Sequence, residues 1–134
     1  MTENNLKKYY APYLSATALA GWAIPGGGYF LTGEIRRGWI AFITITATFV
    51  TGLYVGSLGV VDPVGGYWWY LAQVMTSPVV FLIGEQTAAG GFPVYGKPAE
   101  VGQIYTSIAG MLNLLCIVKE VHTAHIIHKQ EKGD

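Results

Sequence analysis

Three stretches of this chain, residues 38–61, 63–84 and 101–118, contain no Asp, Glu, Lys or Arg. Each is close to or longer than the roughly 18 apolar residues that mark a helix able to cross a bilayer. Core helices of soluble proteins rarely run so far without a solvated face. A fourth apolar run, residues 11–24, is rich in alanine but only 14 residues long. As a helix it reaches about 21 Å, short of the roughly 30 Å hydrocarbon core. To span, it must continue through Pro25 to about residue 32. Pro25 then kinks it, and Gly26, Gly27 and Gly28 weaken it further. A re-entrant hairpin is the alternative, but it needs other protein to cover its backbone, and the kinked span is the reading adopted. The pattern therefore predicts an all-α membrane protein, a four-transmembrane-helix bundle with a Pro/Gly-kinked first helix. The helices fall at about residues 11–32, 38–58, 67–84 and 101–127 of one integral membrane domain over 1–134.

The polar residues inside these runs follow helical spacing. In the second run Thr44, Thr48, Gly52 and Gly56 recur every four residues, a small-residue ridge of the kind that lets helices approach closely. Phe49 is expected off that ridge, so that Gly52→Leu should disturb packing more than Phe49→Leu. In the third run Gln73 and Ser77 share a face with Thr76 alongside, and Pro78 is expected to bend the helix. In the fourth run Gln103, Thr106, Gly110, Asn113 and Glu120 form a stripe that is costly against lipid and is expected to face protein. Tyr67, Trp68, Trp69 and Tyr70 read as an aromatic belt at a membrane entry, as do Lys7 and Lys8 followed by Tyr9 and Tyr10. The Gly- and Pro-rich stretch 85–100, with Phe92 and Tyr95, is expected to be the longest loop and a docking surface.

Composition agrees with the pattern. The 134 residues are 51% hydrophobic and 12% charged, with a mean hydropathy of +0.37, where a soluble domain carries about 25% charged residues. Zero net charge gives no electrostatic reason to expect nucleic acid. The lone Cys116 reads as a small apolar residue. The lysine-bearing start has no small-residue cleavage site before the glycine turn, so the first run is expected to be mature structure. With four spans and cytoplasmic ends, Lys7, Lys8, Lys119, Lys129 and Lys132 lie inside, and Arg36, Arg37 and Lys97 outside. That is a weak positive-inside bias, and a re-entrant first segment would move the arginines inside and the C-terminus outside.

Candidate chemistry is thin. His122, His125 and His128 are spaced by three near the end of the last helix; two can share a metal, and His122 and His125 are the weak candidates. Arg36 and Arg37 beside Glu34 suit a lipid headgroup or an interhelical turn at the headgroup layer. There is no GxSxG elbow, phosphate loop or HExxH, so neither catalysis nor a cofactor is expected.

Residues 24–33, Ile-Pro-Gly-Gly-Gly-Tyr-Phe-Leu-Thr-Gly, followed by Arg36, Arg37, Gly38 and Trp39, resemble the TM2-like small bacterial membrane proteins. Their pattern is a Pro-Gly-x-Gly turn, an aromatic patch, a glycine, then a basic pair and a glycine. The resemblance covers about a fifth of the chain and implies a multi-pass protein of the bacterial inner membrane. The expected role is a non-catalytic accessory or scaffold subunit whose partners are the bilayer and other integral membrane proteins, self-association included. The alternatives are a redox or metal-handling subunit using the histidines and a small carrier or channel lined by Thr106 and Asn113.

Overall fold

The computed structural model describes residues 3–90 and 96–133, with side chains from Lys8 onward. Among these residues every element is helical: α1 (Glu3–Ala23), α2 (Gly27–Leu31), α3 (Ile35–Gly56), a 3-10 turn (Leu58–Val60), α4 (Tyr67–Val74), α5 (Val79–Gly90) and α6 (Lys97–Gly133). Helix α6 is the spine. At 37 residues it is about 55 Å long, and α1, α3 and α4 all pack along it.

The principal packed pair is α3 with α6, and it is antiparallel. Gly56 lies against Gly102 and the Pro98 carbonyl, Gly52 against Thr106, and Arg37 and Ala41 share a groove with Leu112 and Cys116. Glycines on both helices allow the approach: a Cβ on Gly102 would stand 2.7 Å from the Gly56 Cα and 2.8 Å from the Gly52 carbonyl oxygen. The four-residue ridge needs correction, however. Thr44 is exposed and Thr48 half-buried, while Ile45, Phe49, Gly52 and Gly56 are buried. Four residues advance a helix by about 400°, so a strict four-residue series drifts about 40° per step and leaves the contact face. Phe49 therefore belongs to the core, with Ile45, Val60, Val61, Val74, Val80 and Ala109. Gly52→Leu should still cost about 1–3 kcal/mol through overpacking, because a Cβ there already meets Thr106 Cγ2 at 2.6 Å. Thr44→Leu should shift the thermal midpoint in detergent far less, and equal shifts would rule out this interface.

The kinked first span is also corrected. Helix α1 stops at Ala23 and the chain reverses: Gly27 lies against the Ala20 carbonyl and Gly28 against that of Thr17, so α2 folds back along α1. Pro25 has no N–H with which to continue the helix. Gly26 takes φ 76°, and a Cβ on it would sit 2.8 Å from the Gly38 carbonyl oxygen, a conformation and a contact that favour glycine. The third segment behaves likewise instead of bending. Helix α4 ends at Val74, the chain turns through residues 75–78, and α5 returns alongside α4, with Gly84 against the Tyr70 ring and Thr87 Oγ1 donating to Leu58 O. The fourth helix begins at Lys97 and ends at Gly133, longer at both ends than expected. The long loop shrinks accordingly, since α5 runs to Gly90; Phe92 and Tyr95 lie outside the described residues.

These directions gather charge at one end. Arg36 and Arg37 open α3, Arg37 at the level of Cys116, while α1 runs antiparallel to α6 with Tyr10 at His125 and His128. Lys7, Lys8, Arg36, Arg37, Lys119, Lys129 and Lys132, seven of the eight basic residues, therefore fall on one side of residues 101–118. Lys97 falls on the other, with Asp62, Glu85 and Glu100.

Candidate functional site

The two chain reversals meet at the middle of α6. Asn113 is fully buried, and the two N–H groups of its Nδ2 serve three carbonyls, one hydrogen being shared: Gly21 at 3.1 Å, Met75 at 2.8 Å and Thr76 at 2.9 Å. The last carbonyls of a helix have no partner within it. Here the ends of α1 and α4 arrive from opposite directions, and one amide serves both. Trp22 Nε1 donates to Val74 O at 2.9 Å and Ser77 Oγ to Ala23 O at 3.2 Å, which ties the tips to each other directly.

One and two turns away, the same face of α6 holds α4. Gln73, fully buried, donates from Nε2 to Thr106 Oγ1 at 2.7 Å and to Val60 O at 3.0 Å. Gly110 and the Ala72 carbonyl are so close that any Cβ would overlap the oxygen. Gln103 is half-buried beside Gly66. The α6 stripe thus lies against α1, α4 and the tips. Gln73, Thr76 and Ser77, which the sequence marks only as a polar face beside a proline, supply or flank the second tip.

Glu120 is the third buried polar residue of the stripe, with neither carboxyl oxygen hydrogen-bonded. A Cβ on Gly21 or Gly28 would overlap its Oε2, so one glycine on α1 and one on α2 make the space that the carboxyl fills. Burial pushes this carboxyl up to about 7, against the partly opposing effect of the Gly28 and Tyr29 amides nearby. Burial also pushes Tyr29, next to it, up to about 12. Helical spacing puts Glu120 on the stripe but carries no sign of its glycine cradle, which joins residues 92 and 99 positions apart.

The remaining candidates are dispersed. Arg37 pairs with Glu34 at 2.8 Å and, with Thr44, Tyr29 and Cys116, lines an open groove of about 310 Å³. Arg36 is exposed in the adjacent turn. His122 and His125 are exposed; Tyr10 hydroxyl bonds His125 Nδ1 and its ring packs on His128. Among the described residues, no three His, Cys, Asp or Glu side chains are grouped to hold a metal ion.

Helices α3 and α6 are each long and apolar enough to cross a membrane, and Gly52, Gly56 and Gly102 let them pack closely. This is an all-helical protein built on a pair of candidate spans. The chain belongs to DUF6677, a family of unknown function, whose profile matches residues 16–133. No curated protein and no solved structure matches it.

Proposed function

We propose that this chain is a multi-pass protein of a bacterial cytoplasmic membrane, with both termini in the cytoplasm, acting as a non-catalytic accessory subunit. Helix α3 and the 101–118 part of α6 cross the bilayer, α4 and α5 enter as a re-entrant hairpin from the outer side, and α1 with α2 covers the inner end of α6. This topology has two full spans instead of four. The observation that carries it is the charge distribution: seven of eight basic residues at one end of the α3–α6 pair, a strong positive-inside asymmetry. It also removes the cost of Arg36 and Arg37 on the outer side.

Two further features support the membrane. Ile35, Trp39, Ile40, Ile43 and Val50 on α3 are exposed, as are Ile104, Ile108, Met111, Leu115 and Val118 on α6. Water-facing surfaces of monomers seldom carry so large an apolar patch. Aromatic residues flank these faces, with Trp39 at the basic end and Tyr67, Trp68 and Trp69 at the other, as at the two interfaces of a bilayer. The accessory role is supported by what the interior polar groups do: the Asn113 and Gln73 amides bind neighbouring backbone and so hold helices together. The likeness of residues 24–39 to TM2-like proteins points to the same location.

Reporter insertions test the topology. A fluorescent protein should fold in the cytoplasm when placed at Gly33 or after Asp134, and alkaline phosphatase should be active when placed at Gly65. Phosphatase activity at Gly33 would restore a four-span arrangement, and activity at Asp134 would exclude both. For the role, native electrophoresis in a mild detergent should show the 14.5 kDa chain in a much larger particle with stoichiometric membrane proteins. A particle the size of a lone chain would overturn the accessory-subunit reading.

A further inference from the structure

The carboxyl of Glu120 has a built compartment. Gly21 on α1 and Gly28 on α2 both present bare backbone to Oε2, and the Thr17 carbonyl borders the same space. The residue has no exposed surface, and neither oxygen accepts a hydrogen bond of good geometry. An ionised carboxylate in such surroundings is costly unless paired, and the usual resolution is to take up a proton. No cation among the described side chains is placed to pair with it: Lys119 is exposed, and Arg37 is bound to Glu34. The titratable groups facing it are Tyr29 from α2 and Cys116 one turn back on α6. From α1 come Thr17 and Gly21, which do not titrate.

We propose that Glu120 is a reversible proton-binding site, neutral when α1 and α2 close over it and charged when that turn opens. The ligand is a proton. The gate is the five-residue α2, packed between the end of α1 and the start of α3. The site lies two residues past the charge-free stretch 101–118 of α6, on the basic side, outside the span proposed above. The proposal does not depend on the accessory-subunit reading, since it concerns one carboxyl and its cover.

A carboxyl raised from its ordinary 4.5 to about 7 binds its proton more tightly folded than unfolded. Its contribution to stability is then fully present below about pH 4.5 and is lost as pH rises through about 7. Glu120→Gln keeps the shape and cannot titrate. Its thermal midpoint in detergent should therefore rise relative to wild type by several degrees between pH 5 and pH 9. A difference that does not change with pH overturns the proposal. If the glutamine variant fails to fold, dicyclohexylcarbodiimide, which attacks protonated buried carboxyls, decides on the wild-type protein alone. Peptide mapping should find one adduct, at Glu120, formed at pH 6 and several-fold less at pH 9. An unlabelled Glu120 at pH 6, or a yield independent of pH, also overturns it.

Discussion

Asn113→Leu should be the most damaging single change outside the backbone, lowering stability by about 3–5 kcal/mol. The amide donates to Gly21, Met75 and Thr76, and leucine leaves these buried carbonyls without a donor at about 1–3 kcal/mol per group. The apolar gain of leucine, at most about 1.5–3 kcal/mol, offsets only part of that loss. Asn113→Asp should be at least as harmful despite its matching shape, because it sets acceptor against acceptor. His122→Gln, at an exposed position, should stay within about 0.5 kcal/mol of wild type. The measurement is the thermal midpoint in a mild detergent, paired with limited proteolysis at residues 75–78, which the variant should expose. If Asn113→Leu unfolds with wild-type midpoint and cleavage pattern, the tips are not held by this amide.

Gly110→Ala should be nearly as severe, and here two effects oppose each other. Alanine in a helix interior is favoured over glycine by about 1 kcal/mol. Against this, the added methyl would overlap the Ala72 carbonyl oxygen and approach Thr76 Oγ1 at 3.2 Å. The nearest atom is backbone, so relief requires α4 to move away from α6 as a unit. Overpacking costs about 1–3 kcal/mol and occasionally more; with backbone as the obstacle this site falls at the upper end, and the clash wins. The movement would also lengthen the Gln73–Thr106 hydrogen bond, now 2.7 Å. Gly110→Ala combined with Gln73→Ala should therefore cost less than the sum of the two alone. Strict additivity, or a stabilised Gly110→Ala, would mean that α4 does not pack here.

Several site residues are legible in the chain itself. The polar stripe on α6 can be read because one helix carries all of it, and helical spacing alone decides which residues share a face. The Gly52 and Gly56 contact is legible for the same reason. On α3 the four-residue repeat misplaces the face by one residue, Thr44 in place of Ile45, because that repeat and a 3.6-residue helix drift apart over three steps. The Glu120 cradle and the Tyr10–His125 contact are not legible, since each joins α1 or α2 to the far end of α6.

What the sequence determined by itself was length, polarity and interruption: charge-free runs long enough to cross a bilayer, a polar stripe, and prolines at 25 and 78. A proline states that a helical hydrogen bond is lost; it does not state where the chain goes next. Kink and reversal are both open to it locally. The tertiary structure decided for reversal at both prolines, because Asn113 and Ser77 offer the freed carbonyls donors that a continuing helix would not meet. That choice brings Arg36 and Arg37 to the basic end of the molecule. It also folds Gly21 and Gly28 over Glu120, through contacts between residues about ninety positions apart.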